Sequence, residues 1–346
     1  MAFIFLLPLV ILGLTGPILV FDHALDEAIN PSVLLHEGDP LARVDSIDLD
    51  AALASAHSAL QGDEFVFRLF VPRHEQAAIL VDTRGHAEGA RQMYIDPRSH
   101  AVLGVRERDG HLMRWIYTLH SNWAVKPWGD HGVFFTGVAL VVLCLSGVIN
   151  WLKHPSPSLK LRLKPKTFLR WWDIHRLTGV CVVLLLAMMA LTGGTMAFMH
   201  SFGRGMLPPP DVPEIMVSTN TPPLSANAMR ALSRNVFTDA QMTTIYPPRT
   251  ETAPWQISWR QLDEPRKTKG MSQVWMHPYT GEVVAVDDAL AREGWKKWLL
   301  WVFPLHNGEW LGWPTRMMIL FLGGALLLLA YTGTRAFLAK RRKKRD

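Results

Sequence analysis

Four stretches of the chain have no polar face and no charge. Ala2–Phe21, Gly132–Leu152, Leu177–Met199 and Met317–Thr334 contain no Asp, Glu, Lys or Arg. Each is close to the ~20 residues that a helix needs to cross a ~30 Å hydrocarbon core. In lipid a segment must satisfy its own backbone groups, so such runs are helices. Four in one chain predict a transmembrane bundle rather than a buried soluble core.

Between the spans the pattern changes to alternation and half-polar helices. Asp48–Leu60 has helical apolar spacing, and strand-like runs follow at Phe65–Val71, Ala77–Asp82, Gln92–Asp96 and Ala101–Val105. In the second long connection Ser225 is placed to cap a helix to about Arg234. Strand-like runs then come at Met242–Tyr246, Trp255–Gln261, Met271–Met276 and Glu282–Val286, and Asp287 or Asp288 caps an amphipathic helix to about Phe303. Each connection reads as an α+β domain, one helix on a small antiparallel sheet, followed by a helix leading into the membrane. The plan is span 1 over 1–22, a first domain over 23–120, span 2 over 131–152 and a basic loop over 153–174. Span 3 follows over 175–200, a second domain over 201–306, span 4 over 314–336 and a basic tail over 337–346.

The two halves repeat. Leu14-Thr15-Gly16, Phe21 and His23 match Leu191-Thr192-Gly193, Phe198 and His200 at an offset of 177. Asp96-Pro97 with Val102 resembles His277-Pro278 with Val283 at 181, and Trp115, Leu119-His120 and Gly147 match Trp301, Leu305-His306 and Gly333 at 186. The offset grows only across the outer domains, where insertions are tolerated. Tandem halves in a membrane protein place the working site near the repeat interface.

Charge then orients the bundle. Lys153–Arg176 carries seven Lys/Arg against Asp173 alone, and Arg335–Asp346 carries seven against Asp346. These short segments outweigh the chain's whole net charge of +6, so the remainder is acidic. The positive-inside rule puts both basic segments and both termini in the cytoplasm and the two large loops outside, in the periplasm of a bacterial inner membrane. The high pI is a topology signal and makes no case for nucleic acid. Trp123, Trp128, Trp151, Trp171, Trp172, Trp310 and Trp313 sit near span ends, as interfacial belts do. Met1 opens directly into apolar residues without a positive n-region, which does not read as a signal peptide, and the repeat leads us to expect residues ahead of it.

Several chemistries lack their motifs. The only cysteines, Cys144 and Cys181, fall inside spans, so the outer domains have no disulfide, and no Cys-x-x-Cys-His exists for covalent haem. There is no Gly-x-Gly-x-x-Gly or Walker pattern, hence no NAD, flavin or ATP device in this chain. Gly-x-Ser-x-Gly and His-Glu-x-x-His are missing too, which weakens hydrolase readings. Met188, Met189, Met196, Met199 and Met206 are better explained by helix packing than by copper.

Fourteen histidines remain, and their placement matters more than their number. His175 lies at the cytoplasmic mouth of span 3, and His23, His120, His131, His200 and His306 lie within a few residues of the outer face. Ionisable groups repeated at a membrane boundary are functional candidates. A b-type haem needs one or two axial imidazoles from packed helices and an apolar slot, and Gly13, Gly16, Gly137, Gly147, Gly179, Gly193 and Gly194 leave room for close helices or a flat ring. His175 and His200 would lie ~37 Å apart on a straight helix and so belong to separate sites. His120 and His131 are separated by Pro127, which breaks a helix. His154 in the basic loop and His36, His57, His74, His86, His100, His111 and His277 in the outer domains read as solvated groups. Zinc is the weaker alternative, because no His-x-x-x-His or Glu-rich helix accompanies them.

As a set these motifs resemble the PepSY-associated transmembrane proteins of bacterial inner membranes, over nearly the whole chain. The resemblance rests on Leu14-Thr15-Gly16, Tyr94-Ile95-Asp96-Pro97, Leu119-His120, Leu145-Ser146-Gly147 with Trp151, Ile174-His175-Arg176 with Gly179, and Leu191-Thr192-Gly193. It extends to His277-Pro278-Tyr279-Thr280-Gly281, Leu305-His306-Asn307-Gly308 and Thr332-Gly333. Members similar to this chain are haem b ferric-siderophore reductases. The resemblance implies one or two haems, a cytoplasmic or membrane electron donor, a periplasmic ferric siderophore as substrate, release of Fe(II) for iron uptake, and room for a homo-oligomer. His120, His175 and His306 match family histidine positions, and His131 marks the haem-binding subset. The family's further histidine opening span 1 would fall ahead of Met1, which leaves the partner of His175 unassigned. Two rival classes are a membrane-anchored binding module for a periplasmic protein partner, without redox activity, and a transporter. The second lacks charged span residues for ion coupling.

Overall fold

The computed structural model describes residues 4–342 except 45, 86–88, 154–166, 204, 207–209, 213–214 and 216–221. His154, His86 and most of the basic segment between spans 2 and 3 therefore lie outside the described residues. In chain order come α1 (Leu6–Leu19), α2 (Asp22–Ile29), α3 (Pro31–Leu34) and α4 (Leu49–Ser58). Then follow β1 (Phe65–Phe70), β2 (Ile79–Arg84), β3 (Arg91–Ile95), β4 (Val102–Glu107), α5 (Leu112–Asn122), α6 (Trp128–Lys153) and α7 (Thr167–Ser201). The second half has α8 (Ala226–Ser233), β5 (Gln241–Tyr246), β6 (Trp255–Arg260), β7 (Ser272–Met276), β8 (Val283–Asp287), α9 (Gly294–Asn307) and α10 (Trp313–Arg342).

The chain divides into two units. One is a helical bundle in which α6 packs on α7, α7 on α10 and α10 on α1. Helices α6, α7 and α10 are each long and apolar enough to cross a membrane. A fourth span requires α1 and α2 to count as one element bent by 67°. This shortens the first predicted span: α1 stops at Leu19, and the chain turns just before the polar Asp22-His23 pair. The other three helices run past their charge-free windows, α7 taking in Trp171 to Arg176. Glycines allow two close approaches. A Cβ on Gly323 would meet Pro17 Cγ at 2.2 Å and the Gly13 carbonyl at 2.8 Å, and one on Gly137 would meet Gly194 Cα at 3.3 Å.

The other unit is built on an antiparallel sheet of eight strands, ordered β4-β3-β2-β1-β5-β6-β7-β8. Each half of the chain supplies four strands and a helix, as the alternation predicts. The pattern did not predict that the halves join edge to edge, with Leu69 opposite Ile245 and Phe70 opposite Thr244. Helices α4 and α8 cover one face. Leu49, Leu69, Ile79, Met93, Met229, Met242, Ile245 and Ile257 are fully buried there, each stabilising by roughly 1.5–3 kcal/mol. Both helices are capped: Ser225, the cap the sequence offers for α8, accepts from the Ala228 amide, and Asp48 accepts from the Asp50 and Ala51 amides at the start of α4. Helix α9 starts later than expected. Asp287 pairs with Arg292 and Asp288 accepts from the Leu290 amide, so these acids hold a turn and α9 begins at Gly294.

Candidate functional site

Three histidines of the bundle sit in sockets of one design. Nδ1 of His120 lies 2.8 Å from Thr15 Oγ1, and Nδ1 of His306 lies 3.0 Å from Thr192 Oγ1. Nδ1 of His175 lies 3.1 Å from the Leu329 carbonyl and 3.3 Å from Thr332 Oγ1. The glycine after each threonine clears the space the ring occupies. A Cβ on Gly16, Gly193 or Gly333 would stand 3.2, 2.8 or 3.1 Å from Cε1 of His120, His306 or His175.

The sockets fix the tautomer. Thr15 donates its hydroxyl proton to the Ile11 carbonyl at 2.7 Å, Thr192 to Met188 at 2.8 Å and Thr332 to Leu328 at 2.6 Å. Toward the ring each oxygen is left only its lone pairs, so Nδ1 carries the hydrogen and donates. For His175 the carbonyl of Leu329, an acceptor only, requires the same. The lone pair then resides on Nε2, and no described residue hydrogen-bonds Nε2 in any of the three. A neutral imidazole whose Nδ1–H is anchored and whose Nε2 is free is the usual form of a histidine metal ligand. Desolvation of the ring, with His306 adding to it, pushes His120 down to about 3. Desolvation, opposed by a hydrogen bond to the Met189 backbone, brings His306 down to about 4. Both stay uncharged at neutral pH.

The sockets are not equivalent in place. The rings of His120 and His306, corresponding residues of the two repeats, face each other with centroids 6.2 Å apart and a 57° tilt. His175 lies 17 residues before Thr192 on α7, about 25 Å along the axis, so it serves the opposite end of the bundle. Among the described residues no group of three or more His, Cys, Asp or Glu gathers. Axial ligation of a haem asks for only one or two imidazoles, which the paired rings and His175 supply. The residues present fit haem on that count.

The other candidates are placed differently. His131 on α6 reaches the Pro127 carbonyl at 3.4 Å, stacks edge-on against Phe202 at 4.9 Å and lies 6.1 Å from Trp128. It belongs to an aromatic cluster with Phe134 and Phe198 and does not contact the paired rings. His200, near the end of α7, is exposed. His23 belongs to the sheet unit, where its exposed ring lies beside Asp22. In the sequence Thr15 and Thr192 mark the repeat and Thr332 belongs to the family motif Thr332-Gly333, and none of the three shows there as a histidine partner. The Thr-Gly step by itself does not single them out, because it also occurs at Thr136-Gly137 and Thr178-Gly179.

No curated protein matches the chain. The motifs that build the sockets are spread from the first apolar helix to the last, and a single family model, the PepSY-associated TM region, matches residues 1–340: the chain belongs to that family.

Proposed function

We propose that this protein is a bacterial inner-membrane haem b protein that passes electrons across the membrane to a ferric siderophore. Its substrate is chelated Fe(III) on the periplasmic side, where the sheet unit lies, and both termini are cytoplasmic. The observation that supports this reading is the threefold Thr-Gly socket, which presents three Nε2 lone pairs from rings that cannot rotate.

The division of labour among residues follows from the geometry. Each threonine hydroxyl ties the imidazole to its span, which fixes the ring plane and raises the basicity of Nε2. Each glycine keeps the ring close to the helix. His120 and His306 serve the end of the bundle where the two repeats meet, and His175 serves the other, which faces the cytoplasmic donor. Bound haem supplies a one-electron centre whose potential is set by its axial ligands and burial. Hard oxygen chelators hold Fe(III) more tightly than Fe(II), so one delivered electron loosens the metal and the chelate releases it.

The test is a reduced-minus-oxidised absorption spectrum of the purified full chain beside His→Ala variants at 120, 131, 175 and 306. The expected result is a b-type spectrum that is diminished or shifted at 120, 175 and 306 and kept at 131. A protein without a Soret band after haem supplementation would end the redox reading and leave the anchored binding module.

A further inference from the structure

The sheet face turned away from α4 and α8 carries a belt of arginines and aromatic rings at its centre, where the two halves join. Strand pairing builds it. Phe65 lies opposite Arg84 and Arg68 opposite Asp82, so these four share a face, and the bulge at Phe67 turns that ring onto the same side. The guanidinium of Arg84 lies 3.4 Å from the centre of the Phe67 ring, that of Arg68 4.6 Å from Phe70 and that of Arg249 4.5 Å from Phe65. Tyr246 closes the row edge-on to Phe67 at 5.8 Å.

Charge on this belt is unbalanced. Asp82 is the buried acid within it, and it is already held by two nitrogens of Arg68 and by Gln92. Arg84, Arg108 and Arg249 make no ion pair with a described residue. They lie close enough, with Arg68, for their mutual repulsion to add to desolvation in lowering the Arg84 pKa. Arg84 and Arg249 are exposed. Stacking holds a guanidinium flat on its ring and leaves the N–H edge pointing outward, the arrangement that grips anionic oxygens in pairs. Under the belt Thr244 and Ser258, paired across β5 and β6, are buried with hydroxyls that have no hydrogen-bond partner.

We propose that this belt is the ligand surface of the sheet unit and that its ligand is an anionic tris-catecholate iron chelate. The arginine edges would take the negative catecholate oxygens, and Phe65, Phe67 and Tyr246 would pack against the catechol rings. A hydroxamate chelate, uncharged or cationic, gains nothing from unpaired arginines. The proposal rests on the reading above that this unit meets a ferric chelate.

The gallium(III) complex separates the two, because gallium binds the same oxygen donors and takes no electron. Binding of a gallium(III) tris-catecholate to the full chain in detergent is followed by tryptophan fluorescence, beside the gallium(III) complex of a trihydroxamate. The expected result is at least tenfold preference for the catecholate, lost in the double variant Arg84→Glu, Arg249→Glu with unchanged circular dichroism. Should that variant misfold, Arg84→Lys with Arg249→Lys keeps the charge, loses the fork and is expected to weaken binding several-fold. Equal affinity for both chelates, undiminished binding in the folded variants, or displacement by inorganic phosphate at equal ionic strength as effective as by the catecholate itself, overturns the proposal. Catecholate binding by a protein that takes up no haem would leave the belt standing and remove the reductase.

Discussion

Thr15 Oγ1 stands 2.8 Å from Nδ1 of His120, with its own proton committed to the Ile11 carbonyl. The bond crosses from the first apolar helix to the helix before the second, and it recurs between Thr192 and His306 in the other repeat. Removing the oxygen while keeping the shape tests what it does. Thr15→Val or Thr192→Val frees the ring to rotate and change tautomer, and ligand affinity at that histidine is expected to fall about 10–100-fold. Thr→Ser at either position keeps the acceptor and is expected to stay near wild type. Imidazole 15N shifts of labelled protein check the tautomer directly, without any bound group.

Adjacent glycines offer a sharper contrast. A methyl on Gly193 would meet His306 Cε1 at 2.8 Å, whereas one on Gly194 meets nothing within 4 Å. Gly193→Ala is expected to displace the ring and cost about 1–3 kcal/mol. Gly194→Ala removes a helix-interior glycine into open space and is expected to be neutral or stabilising by up to about 1 kcal/mol. Gly333→Ala and Gly16→Ala, with contacts at 3.1 and 3.2 Å, should fall between. Thermal unfolding in detergent, together with the ligand spectrum, ranks the four. An equal effect at 193 and 194 would refute the socket geometry.

The repeat made the Leu-His pair legible, because Leu119-His120 and Leu305-His306 recur in register, and the structure brings those two rings to a centroid distance of 6.2 Å. It did not tell His131 from them. All three lie near the same span ends, and linear position carries no information about which way a side chain points; the rings of Trp128 and Phe202 claim His131. The strands of each half were readable because short runs such as Ile79–Val81 and Met93–Ile95 are apolar, with every second residue fully buried against the helices. The β1–β5 junction was not, since edge pairing is made by backbone groups and leaves no mark on the side-chain pattern. The threonines were visible as motifs but silent as partners, because a helix-interior threonine ordinarily bonds its own backbone, as these also do.

Lys269 gives the sheet unit a pH signature. Burial, with Arg68 and Arg266 nearby, pulls it from the free value of 10.5 down to about 8. Below pH 8 the folded and unfolded chains both hold the proton, and the folded state bears the full cost of the buried charge. Between pH 8 and 10 the folded state releases its proton first, so the unfolded state binds more and stability rises with pH. Above pH 10 Tyr94, raised to about 12 by burial, reverses the trend: the folded state then keeps a proton that the unfolded state loses. Lys269→Met is expected to flatten the rise and to add about 1–2 kcal/mol at pH 7. Unfolding midpoints by near-ultraviolet circular dichroism from pH 7 to 10 read both effects; a midpoint that falls over this range in wild type excludes the assignment.

The seam between the halves makes the strongest claim on the fold. Leu69 and Ile245 face each other across β1 and β5, both fully buried against α4 and α8. Leu69→Ala leaves a cavity against strands of both halves and is expected to cost about 2–5 kcal/mol. Because the residues touch, the double variant with Ile245→Ala should cost less than the two singles combined. One continuous sheet also has to loosen as a whole. Hydrogen exchange on the Leu69→Ala protein should show protection falling together in β2–β3 and in β6–β7, although the mutated side chain belongs to the first half alone. If the loss stays within β1 to β4, the halves behave as two sheets that merely abut, and the arginine belt across their junction loses its rigid floor.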